Sequence, residues 1–246
     1  MEGKNLAKAA EVLKNGYPHI ILLQEIRDSL SCLALIDSIG RLDYRLAVCS
    51  VFRDRSGIPT FQQLAIISRL PFKQAFWKSW STVSGIDPPR GFAFSLLEFE
   101  GSHILAYSLH LKSNLVTGKK DNIRLNVLKR ELAVQQMIHH FQSDTALARL
   151  GYTAVIIGGD FNTNIDDPRF DIEKTFSILD RLNFQNCFAN LVYPDRITWP
   201  AHNNLPDATF DYIFVKNMTF LSSPQILESG LSDHWPVFCV IGKKNQ

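Results

Sequence analysis

Ile156-Ile157-Gly158-Gly159-Asp160-Phe161-Asn162 is the stretch that decides how this chain reads. An apolar, β-branched run from Val155 ends in two glycines, then presents a carboxylate and a carboxamide two residues apart. The pattern reads as a buried strand whose carboxy end delivers Asp160 and Asn162 to one side of a cleft. Side chains at i and i+2 of an extended segment point the same way. Standing alone, such a sequence is equally an ordinary polar turn. It has company: Gln24-Glu25 closes an apolar run over 20–23, Ser232-Asp233-His234 sits just before another strand, and Thr209-Phe210-Asp211-Tyr212 opens a third.

A chain of 246 residues makes one large domain or two small ones. No Ser/Gly/Pro-rich linker, low-complexity segment or internal repeat divides it. The candidate site residues come from both ends and the middle, so residues 1–246 read as a single domain. At 46% hydrophobic and 20% charged, the composition is that of a soluble globular protein. A formal charge of +2 is too small to argue for nucleic acid. Its distribution says more: Lys112, Lys119, Lys120, Arg124, Lys129 and Arg130 cluster with only Asp121 opposing them. That is either a solvated helix face with its preceding loop or a patch that meets phosphates. Cys32, Cys49, Cys187 and Cys239 show no CxxC pairing and no metal-ligand spacing. A reduced, cytoplasmic compartment fits best, with two disulfides as the alternative. No run approaches the ~20 apolar residues of a membrane span, and no signal-peptide pattern opens the chain.

Local patterns place the motifs on elements. Asn5 caps a helix with Leu6, Ala9, Ala10 and Leu13 on one face, stopped by Asn15-Gly16 and Pro18. Strands are expected over 20–26, around Tyr44 to Val48, and over 63–68, 92–99, 103–109, 153–157, 211–216 and 235–241. Helices are expected over 29–39, 121–141 and 172–182, and polar or Gly/Pro-broken loops over 53–59 and 84–90. Strands outnumber helices, and several follow one another with no crossover helix. That argues against a doubly wound parallel sheet and for two packed, mixed sheets with helices outside.

Five motifs in order, Gln24-Glu25, HLKSN at 110–114, GGDFN at 158–162, TFDYIF at 209–214 and LSDHWPV at 231–237, give the chain a family likeness. It resembles the endonuclease/exonuclease/phosphatase superfamily, the fold of deoxyribonuclease I and exonuclease III. The resemblance implies an α/β (α+β) fold, a four-layer α/β/β/α sandwich of two packed mixed sheets, with the active site at one edge. It also implies a divalent-metal-dependent phosphoesterase using Mg²⁺, with Mn²⁺ or Ca²⁺ as alternatives.

Phosphate-ester hydrolysis needs neutralised charge, a deprotonated water and a stabilised leaving oxygen. Hard oxygen ligands suit Mg²⁺ or Mn²⁺. Glu25 is the best single ligand candidate, since a carboxylate ending an apolar strand is costly unless paired. The competing reading is an ion pair with Arg27 or Arg53. Asp211 and His234 look like the family's carboxylate-histidine pair: Asp211 would fix the imidazole tautomer, and His234 would contact the phosphate or handle a proton. A capping role is the ordinary alternative for a histidine in Ser-Asp-His. By the resemblance Asp233 binds metal. Asp160 orients or deprotonates the water or helps bind metal. Asn162 hydrogen-bonds a phosphate oxygen and joins Glu25, Asp160 and Asp233 as a candidate ligand. His110 would donate to a phosphate oxygen, as in the deoxyribonuclease I-like and sphingomyelinase-like branches, and points away from apurinic endonucleases. Arg90 is a candidate phosphate-facing arginine. Lys112, Ser113 and Asn114 either add charge and donors beside the phosphate or form a plain loop. His19, His103, His139, His140 and His202 match nothing, and Trp199 packs or lies beside the cleft.

One departure stands out. Family members begin with a strand carrying an asparagine near the scissile phosphate, and here only residues 1–4 precede the first helix. Something should then fill or cover the gap: a rearranged segment, a partner chain or residues upstream of Met1. Without a partner the protein is expected to be a monomer. The leading expectation is a phosphodiesterase acting on nucleic acid, a nuclease. A phospholipid or a sugar or inositol phosphate is the rival substrate, with the inositol 5-phosphatase branch disfavoured because TFDYIF stands where that branch shows a PAWCDR-like segment. A binding protein that kept the fold and weakened the chemistry is the alternative of another class.

Overall fold

The computed structural model describes residues 3–54, 56–116, 122–201 and 205–243. Its first layer is α1 (Gly3–Gly16) and α2 (Ser29–Ile39). Asp28 caps α2 by accepting from the Ser31 N–H, and Gly40 ends it in the left-handed region at φ 68°. These helices cover β1 (Ile20–Ile26), β2 (Arg45–Cys49) and β3 (Gln63–Ser68), an antiparallel sheet in the order β1-β3-β2. Ala10, Ile21, Ile26, Cys32, Leu35 and Ile39 pack between helices and sheet. All of β3 is buried, as its unbroken apolar run requires of a strand covered on both faces.

The opposite face of that sheet meets a larger one. It contains β4 (Phe72–Ser79), β5 (Gly91–Phe99), β6 (Ser102–His110), β7 (Tyr152–Asp160), β8 (Gln185–Asn186) and β9 (Asp211–Lys216), in the order β4-β5-β6-β7-β9-β8. Val48, Phe52, Leu64, Ile66, Ala93, Leu97 and Ala106 fill the space between the sheets. Among the described strands of this sheet, β6 and β7 alone run parallel. Their crossover is α3 (Ile123–Ser143) with α4 (Thr145–Leu150), as a parallel pair demands. With α5 (Thr175–Asp180), these helices cover the outer face through Phe92, Tyr107, Val134, Met137, Phe141 and Phe214. Four layers result, α/β/β/α. No described helix is long and apolar enough to cross a membrane.

The structure corrects three expectations. β4 was not foreseen: it is a mostly exposed edge strand with little apolar alternation. The helix expected over 172–182 is only Thr175–Asp180. The strand expected over 235–241 is broken. β10 (Met218–Phe220) pairs β13 (Ile241–Lys243), and β11 (Gln225–Ile226) pairs β12 (Val237–Phe238). These are two separate two-stranded ladders, joined neither to β1-β3-β2 nor to the six-stranded sheet. Among the described residues no strand lies between β1 and β12, so neither has a neighbour there to extend its pairing. A cavity of about 760 Å³ occupies this position, lined in part by Leu13, Ile20, Leu22, Ile213, Val237 and Phe238. No described segment of this chain fills it.

Candidate active site

Strand register assembles the centre of the site. Parallel pairing ends β6 and β7 together, with His110 opposite Asp160, and antiparallel pairing starts β9 with Asp211 opposite Asp160. The two glycines let neighbouring backbone approach. A Cβ on Gly158 would lie 2.7 Å from Leu22 Cδ1, and one on Gly159 would lie 2.0 Å from the Leu109 carbonyl at φ 141°. The small sheet is tied on at this point: Gln24 Nε2 donates to Ser108 Oγ (2.9 Å), which donates to the Leu23 carbonyl (3.1 Å). A register shift in β1 between Leu23 and Ile26 leaves Glu25 at φ 54° and re-aims its carboxylate. Phe161 anchors the turn after β7 among Phe176, Tyr212 and Phe214.

The polar groups then converge. His234 Nδ1 and Asp211 Oδ2 are 2.7 Å apart. His234 Nε2 lies 4.0 Å from Asp160 Oδ2, and His110 Nε2 lies 3.4 Å from the same oxygen. His110 Nδ1 is 3.9 Å from Glu25 Oε1 and is buried with no hydrogen-bond partner. Asn162 donates to Asp160 twice, from its backbone N–H to Oδ1 and from Nδ2 to Oδ2, both at 2.8 Å. The Asp160 and Asn162 side chains meet because Asn162 is left-handed, φ 53°, not because an extended strand continues. Asn162 Nδ2 also donates to the Leu111 carbonyl at 3.3 Å. Both amide hydrogens are thus spent on the protein, and the group left to a ligand is the carbonyl Oδ1, an acceptor where a phosphate donor was expected.

Burial, and next the charge of Asp211, push the Asp160 carboxyl up to about 7. Burial works against a charged His234, but the Asp211 hydrogen bond and the charges of Asp211, Asp160 and Asp233 outweigh it and raise the imidazole to about 9. Burial, then the charges of Arg90 and His234, hold His110 down at about 2, so its ring is neutral. Asp160, Asp211 and His234 each offer a ligand atom within 4.8 Å of the others. Crowded carboxylate oxygens, one of them held back from ionising by burial and by its neighbour, beside an unpartnered imidazole nitrogen, suit a small hard cation.

Other sequence candidates sit differently. Glu25 is 59% exposed at its side chain, so its cost of burial is smaller than the strand pattern implied. Neither suggested arginine reaches it: Arg27 pairs with Asp28 (3.0 Å), and Arg53 donates to the Gly57 carbonyl (2.7 Å). Glu25 instead accepts from Gln62 Nε2 at 2.9 Å. Asp233 accepts from Trp199 Nε1 (3.3 Å) and Ser232 Oγ (3.2 Å), which puts Trp199 against a site acid. Arg90 does not face the opening. Its guanidinium donates to the His110 carbonyl (3.0 Å), the Leu111 carbonyl (2.7 Å) and Gln62 Oε1 (2.7 Å). Lys112 Nζ folds back onto the Ser113 (3.1 Å) and Leu115 (3.0 Å) carbonyls, and Ser113 is half-buried beside it. Asn114 donates to the Asn162 carbonyl (2.8 Å) and accepts from Arg130 (2.9 Å), so it braces the site from behind.

The described members of the basic cluster do not form a continuous patch. Lys119, Lys120 and Asp121, like His202, lie outside the described residues. Arg124 is exposed, Lys129 half-buried, and Arg130 is fully buried in an ion pair with Glu173. Sequence reasoning missed Gln62 and Glu173. Neither belongs to a motif, and each is found only through its long-range partner.

The sequence matches the model of the Endonuclease/Exonuclease/phosphatase family over residues 2–234. No curated protein matches it. Solved structures of similar fold include an endonuclease/exonuclease/phosphatase family protein from Leptotrichia buccalis (TM-score 0.68, 17% identity, covering 97% of this chain and 93% of that one). Humanised TDP2 of D. rerio aligns at TM-score 0.62 and 15% identity, over 98% of this chain and 94% of that one. The mannosyl-6-phosphatase of Bacteroides thetaiotaomicron aligns at TM-score 0.62 and 16% identity, over 98% and 91%. At these identities the likeness is one of fold.

Proposed function

We infer that this chain, which belongs to the endonuclease/exonuclease/phosphatase family, is a divalent-metal-dependent phosphodiesterase that cleaves DNA or another nucleic acid. Members are phosphoric ester hydrolases and are generally divalent-metal dependent. The observation that carries the reading is Asp160 Oδ2 between two imidazoles, 3.4 Å from His110 and 4.0 Å from His234, with Asp211 behind His234. The domain is the whole of residues 1–246, since Glu25, Asp160 and His234 come from widely separated parts of the chain.

Glu25, Asp233 and Asn162 Oδ1 are the expected holders of Mg²⁺, with Mn²⁺ as a substitute, while the ligand atoms that already lie together are those of Asp160, Asp211 and His234. Asp160 either helps hold the ion or serves the attacking water. The bound ion would neutralise phosphate charge. In serving the water, Asp160, pushed up to about 7, is a base matched to neutral pH and takes its proton. Asp211 accepts from the Nδ1–H of His234, which turns Nε2 toward the Asp160 side of the site, where it would meet a bound phosphate. As an imidazolium at neutral pH, His234 stabilises the developing charge. Neutral His110 presents the same phosphate with an uncharged face.

His110 at the end of β6 suits the deoxyribonuclease I-like and the sphingomyelinase-like branches alike, and what favours nucleic acid is exposed Arg124 near the start of α3. One observation favours a second reading, a lipid phosphodiester: the cavity beside β1 is largely apolar and opens onto Glu25, His110, Asp160 and His234. Plasmid nicking and headgroup release from phospholipid vesicles, each with Mg²⁺, separate the two. Nicking without headgroup release supports the nuclease, and the reverse result replaces it with the lipid substrate.

A further inference from the structure

Glu25 has a placement problem that its own strand does not solve. It stands on the small sheet, while Asp160 and His110 stand on the large one. Its side chain is more than half exposed and has three side-chain torsions that packing does not fix. Yet a metal ligand must be held to within a fraction of an ångström. Something outside β1 has to fix it.

We propose that Gln62 and Arg90 are positioning residues that together hold the Glu25 carboxylate toward the large sheet, an assignment that rests on the metal role read for Glu25 above. Gln62 Nε2 donates to Glu25 Oε1 at 2.9 Å, and Arg90 Nη1 donates to Gln62 Oε1 at 2.7 Å. The order of the chain is forced. A guanidinium only donates, so the Gln62 oxygen must face Arg90 and its amide nitrogen must face Glu25. Arg90 is in turn fixed to the large sheet. Nε and Nη2 donate to the carbonyls of His110 (3.0 Å) and Leu111 (2.7 Å), and the Leu111 N–H donates to the Asp160 carbonyl (2.9 Å). The arrangement is a strut from the ends of β6 and β7, across the space between sheets, to the end of β1. It occupies one oxygen of Glu25 and leaves Oε2 for a ligand.

Backbone strain marks both ends of the strut, Arg90 and Glu25, and the neighbouring Asn162. Arg90 has φ 68°, Glu25 φ 54° and Asn162 φ 53°, a region costly for side-chain-bearing residues. Strain of this kind persists where the surroundings over-determine the geometry. Gln62 is itself exposed, so its replacement leaves the core untouched and its role is open to test.

The test is Mn²⁺ affinity, read directly by the loss of the free Mn²⁺ paramagnetic resonance signal, in wild type, Gln62→Leu and Glu25→Gln. Leucine keeps the approximate shape and removes both ends of the relay. Partners of this kind are worth about 10–100-fold in metal affinity. Gln62→Leu should therefore weaken Mn²⁺ binding by about tenfold, with an unchanged melting temperature, and Glu25→Gln should weaken it at least as much. Wild-type affinity in Gln62→Leu beside weakened Glu25→Gln would overturn the strut and leave the metal role of Glu25 standing. Wild-type affinity in Glu25→Gln would overturn that metal role and the strut with it.

Discussion

Replacing Glu173 with glutamine should destabilise the protein more than any exposed substitution. Arg130 and Glu173 are both 0% exposed at their side chains. The Glu173 carboxylate accepts from Arg130 Nε (2.8 Å), from Thr163 Oγ1 (2.6 Å), and from Arg130 Nη2 and Thr175 Oγ1. The other arm of Arg130 donates to the Lys112 carbonyl and Asn114 Oδ1, both at 2.9 Å. Glutamine keeps the shape but removes the charge, leaving a buried guanidinium uncompensated. Breaking a buried pair from one side costs about 3–5 kcal/mol. In a chain of this size that lowers the melting temperature by roughly 10 °C. The damage should reach the site, because Asn114 donates to the Asn162 carbonyl and Thr163 follows Asn162. Urea unfolding followed by tryptophan fluorescence measures the stability change. A loss below about 1 kcal/mol, at an unchanged denaturant slope, would refute the argument that this pair carries the turn after β7.

Three further outcomes follow from the geometry. His234→Ala should cut turnover by on the order of 10²-fold or more in a folded protein, as loss of a positioned charge-stabilising group does; steady-state kinetics beside circular dichroism checks it. Gly159→Ala should fail to fold or lose several kcal/mol, since its Cβ would stand 2.0 Å from the Leu109 carbonyl; soluble yield and melting temperature decide. His140, packed in an aromatic nest and bonded to Tyr107, is held down at about 4, chiefly by burial, against 6.5 unfolded. Its neutral form is favoured on folding, so the stability it supports is whole above pH 6.5 and is lost as pH falls through about 4. The loss should be on the order of 2 kcal/mol, seen as a shallower acid limb in His140→Gln.

The strand ends that build the site were legible because they join two signals: an apolar run and a polar group where it stops. Gly158-Gly159-Asp160 and Gln24-Glu25 read correctly as strand ends for that reason. The 235–241 segment carried the same apolar signal but has no continuous neighbour to pair with, so only Val237–Phe238 and Ile241–Lys243 form ladders. β4 was missed because an exposed edge strand needs no apolar face. Arg130 was misread as part of a basic surface, although helical spacing puts it on the face of Val127, Val134 and Met137, which are buried. Gln62 gave no signal: one glutamine before a strand means nothing until Arg90 and Glu25 are seen on either side of it.

The most direct measurement is hydrolysis of a chromogenic phosphodiester by purified protein, with Mg²⁺ or Mn²⁺ and then with excess chelator, in wild type and in Asp160→Asn. The account predicts turnover that needs the ion, vanishes with chelator, returns on adding metal back, and falls by at least two orders of magnitude in Asp160→Asn. Turnover that survives chelation, or a folded Asp160→Asn variant as active as wild type, would contradict it.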